Sequence, residues 1–567
     1  MNELITARGE AVCGTPWDVY PRPQLRRENF AILNGQWGFA VTDGASPKSY
    51  DREIRVPYCP ESALSGVKEH FAEGASLWYH RVVDLPEDFG TGRLLLHIGA
   101  ADQVCDVFVN GHLVGHHEGG YEAFSCDLTE ARAEQLDITI RCRDDLRDQR
   151  FPYGKQVVDR GGMWYTPVSG IWQSVWLEQV PETYIKRLSI RNQGYAVTID
   201  TGLDIPGTVE VAGLGSFPLE GGKVTIEPQE PKLWSPEEPY LYSFTVTQGE
   251  DKVESYFAIR CLEIKKVGAY PRLCLNGKPY FLHGLLDQGS WPESLLTAPA
   301  PESYVDDILA MKALGVNMLR KHIKVEAEEF YYQCDKLGMV VFQDMVNNGD
   351  YQFFRDTALP SVGLQTLPDK RLHRDPETRT FFRNAMAATV RQLESHPSIF
   401  CWTVFNEGWG QFCADEMYHE MRALDDTRWI DTTSGWFRRK ESDVDSRHVY
   451  FRKVELEGDG VKPLFLSEFG GKTYRAEGHI FNSEKVYGYG GCETEEALAV
   501  ALEELYLREV LPCIEKGLCA AVYTQVSDVE DEINGLLTYD RKVCKVKPET
   551  MLPIAGKLQE ALEPEGR

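Results

Sequence analysis

From Leu275 onward, apolar runs alternate with helix-length amphipathic segments, and this alternation constrains the fold of the 567-residue chain more than any other feature. The runs are Tyr280–Leu286, Val316–Arg320, Met339–Gln343, Phe400–Phe405, Trp429–Thr433, His448–Phe451, Leu464–Ser467 and Leu518–Thr524. Between them lie Glu302–Leu314, Ala327–Leu337, Pro376–Ser395, Asp415–Leu424 and Thr494–Lys516. Short apolar strands suit a parallel sheet that is covered on its faces, and eight of them in series with helices predict a closed (β/α)8 barrel.

Upstream the rhythm is different. From about Trp37 to Glu178, short alternating runs such as Leu94–Ile98, Val104–Val109 and Leu136–Ile140 are broken by turn residues, which predicts a β-sandwich. The Asn110-Gly111 pair is a hairpin signal, because both residues tolerate positive φ. A second set, including Thr208–Val211, Lys223–Ile226 and Leu241–Thr247, fits a small immunoglobulin-like sandwich. The chain thus divides into residues 1–182, 183–268 and 269–567, the last being the barrel.

A formal charge of −27 and the lack of any Lys/Arg run argue against nucleic acid or an anionic membrane surface as a partner. No apolar stretch is long enough to span a bilayer, and the first ten residues carry no apolar signal core, so the reading is cytoplasmic. The 14 cysteines form no C-x-x-C pair, which fits reduced thiols better than a disulfide framework or a zinc site. His116-His117 beside Glu118 is no better a metal site, since neighbours on an extended segment point apart. No cofactor or metal is called for.

Chemistry is expected at the C-terminal rim of the barrel strands. Phe400–Phe405 runs into Asn406-Glu407, and Pro463–Leu466 runs into Ser467-Glu468. A charge at the end of an apolar strand is costly unless used, and strands four and seven can bring two glutamates to the approximately 5 Å separation of a retaining glycosidase. Glu407 is then the acid/base and Glu468 the nucleophile, their pKa values split by environment. Other strand ends offer His283, Asp287 and Gln288, then His322, Asp344, Trp436, and finally Gln525 and Asp528. Tyr487-Gly488-Tyr489-Gly490-Gly491 reads as a rim loop.

These motifs resemble glycoside hydrolase family 2, the family of β-galactosidases, β-glucuronidases and β-mannosidases. The resemblance covers nearly the whole chain. Tyr20-Pro21-Arg22-Pro23, Asn34-Gly35-Gln36-Trp37, Trp78-Tyr79-His80-Arg81 and Ser169-Gly170-Ile171-Trp172-Gln173 resemble its sugar-binding jelly roll. Leu233-Trp234-Ser235-Pro236 and Phe257-Ala258-Ile259-Arg260 resemble its middle sandwich, and His396-Pro397-Ser398-Ile399, Asn406-Glu407 and Ser467-Glu468-Phe469-Gly470 its barrel motifs. The resemblance implies that Asn406 binds the sugar 2-hydroxyl, that Arg320 keeps the nucleophile ionised, and that Tyr450 hydrogen-bonds it.

Two departures bear on the sugar. The Asn-x-Lys element with which the β-glucuronidases bind the sugar carboxylate has no lysine in Glu532-Ile533-Asn534-Gly535, and Lys321, the substitute at hand, is expected to point away from the lumen. The acidic residue that large β-galactosidases place before a Met-Trp pair is replaced by Gly161-Gly162 ahead of Met163-Trp164, with Asp159 further back. The expectation is a retaining exo-β-glycosidase, β-galactoside first, with a β-glucuronide or another family sugar as the alternative. Self-association is left open. The reading from another class is a carbohydrate-binding protein that has kept the fold without turnover.

Overall fold

The computed structural model describes residues 3–87, 89–361, 363–365 and 368–562. Eight parallel strands form one sheet: β1 (Leu282–Asp287), β2 (Met318–Lys321), β3 (Val340–Asp344), β4 (Ile399–Asn406), β5 (Trp429–Ser434), β6 (Asp445–Val449), β7 (Leu464–Phe469) and β8 (Leu518–Tyr523). The ladder runs β5-β4-β3-β2-β1-β8-β7-β6. The remaining gap, between β5 and β6, is crossed by side chains: Ser446 Oγ donates to Asp431 Oδ2 at 2.6 Å and lies 3.5 Å from Ser434 Oγ. All eight expected strands exist, but β6 begins at Asp445, three residues before the run His448–Phe451. Tyr450 therefore follows the strand instead of lying on it. The opening Asp445-Ser446-Arg447 is polar and gives no hydrophobic signal, although its Asp and Ser are buried.

The helices lie where amphipathic spacing placed them, and their ends have local causes. Asp375 caps Pro376–Leu393 by accepting from the Thr378 amide at 2.7 Å, with Pro376 at the first position. Gly338, at φ 74°, closes Glu328–Leu337 in the left-handed conformation that glycine adopts without strain. The lumen packs in layers, with Leu282, Leu286, Met318, Val340, Phe342, Phe400, Phe465 and Val522 buried together. Leu273 and Leu275, from the hairpin sheet Leu262–Val267, Tyr270–Leu275 and Lys278–Pro279, close its floor.

Two β-sandwiches precede the barrel. The first stacks a six-stranded antiparallel sheet on a four-stranded one around Trp37, Phe39, Tyr79, Leu96, Ile138 and Leu177. Asn110 and Gly111 turn its Val104–Val109/His112–Glu118 hairpin at φ 51° and 79°. The second pairs a three-stranded with a four-stranded sheet around Ile190, Val209, Phe244 and Phe257. Among the described residues no helix is long and apolar enough to cross a membrane, and all 14 cysteines are free.

Candidate active site

Every residue of β4 is buried, and the strand delivers Asn406 and then Glu407 to the rim. Glu407 has φ 51°, a left-handed conformation that costs a non-glycine residue energy, and the bond from its amide to the Ser434 carbonyl (2.9 Å) holds it there. Next comes Gly408 at φ 77°, where a Cβ would lie 2.2 Å from the Phe437 ring. The sharp turn aims the Glu407 carboxyl over the mouth of the barrel.

Glu468, on β7, is held from both sides. Arg320 Nη1 donates to its Oε1 at 3.0 Å, and the Tyr450 hydroxyl donates to Oε2 at 2.6 Å. Arg320 is itself fixed by bonds to Asp344 Oδ1 (3.0 Å), Asn406 Oδ1 (2.8 Å) and the Ser467 carbonyl (3.1 Å). Asp344 in turn takes His322 Nδ1 at 2.8 Å on its other oxygen. Since Asn406 spends its oxygen on Arg320, its amide nitrogen is a buried donor with no acceptor among the described residues.

His448 completes the cluster and was missed in the sequence. Its Nδ1 lies 2.8 Å from Glu407 Oε1 and 3.6 Å from Glu468 Oε2, while Nε2 lies 3.1 Å from Ser434 Oγ. One oxygen of each glutamate and a ring nitrogen of His448 lie within 4.8 Å of one another. Burial raises the Glu407 carboxyl above its ordinary pKa and the charge of Glu468 raises it further, against a downward pull from the His448 hydrogen bond. Burial pushes Glu468 the same way, but His448, Arg320 and the Tyr450 hydrogen bond overcome it and hold the carboxyl at about 2. The pair thus contains one carboxylate that stays ionised and one carboxyl that keeps its proton longer, as general acid catalysis beside a nucleophile requires.

A cavity of about 190 Å³ opens on Glu407, His448 and Tyr450 and is walled by Trp436, Met163, Tyr487 and Tyr489. Tyr489, from the rim loop, stacks on Tyr450 at 4.0 Å between ring centroids. Among the described residues the Trp436 indole nitrogen is buried without an acceptor. The first sandwich also reaches this mouth: Trp164 stacks on Trp409 at 5.1 Å, and the Tyr165 hydroxyl donates to Glu532 at 2.5 Å. The spacing of that loop does not place it at the barrel, but the resemblance of Gly161-Gly162-Met163-Trp164 to a sugar-contacting element does.

Several strand-end residues lie elsewhere. His283 faces the helical layer, where its nitrogens meet the Gly315 carbonyl at 3.1 Å and the Tyr506 hydroxyl at 3.2 Å. Asp287 and Lys321, one residue off the lumen-facing register, pair with each other at 2.7 Å, and Lys321 also meets Glu326 at 3.0 Å. Lys321 therefore supplies no charge to a sugar. Asp528 is taken by Lys545 at 2.6 Å and by the Gly535 amide. Gln525 accepts from Gln288 and donates to Asn534, forming a polar floor beside the mouth.

Among the described residues, Glu407, His448 and Glu468 are the one group with the spacing of a metal site. The Arg320 guanidinium, already on Glu468 and 3.5 Å from His448 Nε2, supplies the positive charge there and opposes a second cation.

Comparison with known proteins agrees with this architecture. The family model "Glycosyl hydrolases family 2, TIM barrel domain" matches residues 267–487, and "Glycosyl hydrolases family 2" matches residues 188–260, together just over half of the chain. The β-galactosidase of Thermoanaerobacter pseudethanolicus is 24% identical over 58% of this chain and 44% of that protein. The β-glucuronidase of Canis lupus familiaris is 26% identical over 69% of this chain and 65% of that protein. The chain thus spans less than two thirds of the length of these curated relatives. A β-galacturonidase from Eisenbergiella tayi, solved with galacturonate, shares the fold with a TM-score of 0.69 at 18% identity, over 95% of this chain and 99% of that one. With both models matching in register with the middle sandwich and the barrel, the chain belongs to glycosyl hydrolases family 2.

Proposed function

We propose that the protein is a retaining exo-β-glycosidase in which Glu468 attacks the anomeric carbon and Glu407 serves as acid and then base. The carrying observation is the pair itself: carboxyl oxygens within 4.8 Å, one group held ionised and the other raised. That spacing suits direct attack, whereas an inverting pair stands about 6.5–9.5 Å apart to admit a water. In the first step the bond from the anomeric carbon to the leaving oxygen breaks as the bond to Glu468 forms, and the Glu407 proton goes to the leaving group. With the charge on Glu468 consumed, Glu407 loses a source of repulsion; now ionised, it takes a proton from water, which displaces Glu468 from the sugar.

The surrounding residues take defined roles. Arg320 and Tyr450 keep Glu468 anionic and oriented, and the free Asn406 amide is a donor for the sugar 2-hydroxyl, a contact that strengthens toward the transition state. The walls formed by Trp436, Tyr487 and Tyr489 favour a chain end over an internal residue. The relatives named include a β-galactosidase and a β-glucuronidase, so both sugars are in play.

The test is trapping with a panel of 2-deoxy-2-fluoro β-glycosides, followed by intact mass and peptide mapping. A single adduct on Glu468 is the expected result. An adduct on another residue would take the nucleophile's role from Glu468, and none with any sugar while free sugars still bind would leave a carbohydrate-binding protein in place of the enzyme.

A further inference from the structure

Lys155, on the loop by which the first sandwich reaches the barrel, is a half-buried cation without a counter-ion. Its ammonium lies 5.4 Å from the Tyr165 ring centroid and 5.9 Å from that of Trp409, the residue two positions after Glu407. Among the described residues no carboxylate lies within 4.0 Å of it, and no hydrogen-bond acceptor meets it. Most other cations around the strand ends are paired: Arg320 with Asp344 and Glu468, Lys321 with Asp287 and Glu326, Lys324 with Glu326, and Lys545 with Asp528, whereas Lys472, after β7 and beside the rim loop at Gly490, shares the unpaired state of Lys155 among the described residues.

The ring faces do not replace a counter-ion, because a cation–π contact contributes about 0.5–1 kcal/mol at an exposed site. They do hold the ammonium in one place. It lies beyond ion-pair contact from Glu407 yet near enough to lower that carboxyl's pKa. His322, which with Lys155, Gln288, Tyr165 and Glu530 lines a recess of about 30 Å³ separate from the cavity on Glu407, is held at about 4 by burial and the charge of Lys155, so it adds no competing cation at neutral pH. Among the described residues the Trp409 indole nitrogen, like the Asn406 amide and the Trp436 indole, is a buried donor without an acceptor. An ammonium over the Trp409 ring face and an indole N–H on the same ring, both without an acceptor among the described residues, suit an anionic, acceptor-rich group.

We propose that Lys155 recognises the carboxylate of a uronic acid at the non-reducing end, so that the substrate is a β-uronide. The cation then comes from the first sandwich and not from the barrel element Glu532–Gly535, whose Glu532 and Asn534 are tied to Tyr165, Gln525 and each other. The inference rests on the glycosidase reading, but it has a binding test of its own.

Wild type, Lys155→Met and Lys155→Arg are compared in two measurements. In the first, kcat/KM is taken for matched aryl β-glycosides: glucuronide against glucoside, and galacturonide against galactoside. Wild type is expected to prefer one uronide over its neutral partner, and Lys155→Met to lower that ratio by roughly 100-fold, with partial recovery in Lys155→Arg. In the second, calorimetry measures binding of free D-glucuronate, D-galacturonate, glucose and galactose to each variant. If no aryl glycoside turns over but a uronate binds and Lys155→Met abolishes that binding, the glycosidase reading fails and the Lys155 assignment stands. A wild type that prefers neutral sugars, or a uronate preference untouched in Lys155→Met, overturns the assignment and leaves the glycosidase reading intact.

Discussion

Glu407 and Glu468 differ in protonation because their neighbours differ, and His448 touches both. It lowers both carboxyls, so replacing it with phenylalanine is expected to move both up. Activity requires Glu468 ionised and Glu407 protonated: it is lost as pH falls through the lower pKa and as pH rises through the upper one. Both limbs of the kcat/KM profile should therefore shift to higher pH in His448→Phe, each apparent pKa belonging to the coupled pair. Limbs that stay in place, or move down, would show that His448 has no electrostatic hold on the pair. The two glutamates were legible in the sequence because a charge at the end of an apolar strand stands out against its background. His448 was not, because it lies inside a strand whose polar start hid the register.

At the scale of elements, the weak seam of the barrel is the one beside the chemistry. Between β5 and β6 the ladder is replaced by Ser446, Asp431 and Ser434, and the last of these also contacts His448. Burial pushes Asp431 up to about 6 despite the bond from Ser446, and its Oδ1 has no hydrogen-bond partner among the described residues. Ser446→Ala removes that bond and should cost about 1–3 kcal/mol, read as a lower urea midpoint with an unchanged m-value. A midpoint equal to wild type would mean that the Ser446–Asp431 bond does not hold the seam. Barrel strands and their order could be read from hydrophobic rhythm, since apolar runs need no partner identified in advance. The seam could not, because its polar residues acquire meaning only when β5 and β6 come together.

At the scale of the molecule, buried charges join the parts. Arg27 bonds Asp251 of the second sandwich at 2.8 Å through two nitrogens, and lies 3.3 Å from Glu178 of the first. Glu178 also takes Arg22, Tyr20 and His97, and the two arginines and the histidine hold its carboxyl well below the ordinary range although burial opposes them. Arg27→Met strands Asp251 and weakens the hold on Glu178, and should cost about 3–5 kcal/mol. Thermal unfolding would show it as a lower midpoint, or as an early separate transition of the sandwiches; an unchanged curve would deny the junction its role.

Between the two chain segments that meet at the mouth of the barrel, a division of labour follows. Bond-breaking groups lie on strands whose positions the whole core enforces, whereas Lys155 and Trp164 arrive on a loop from a separate core. Substitutions in that loop would then change what the mouth admits while the strands that carry the reacting pair keep their places, with Lys155 reaching Glu407 through its charge alone. Such a chain can change its diet without relearning its chemistry.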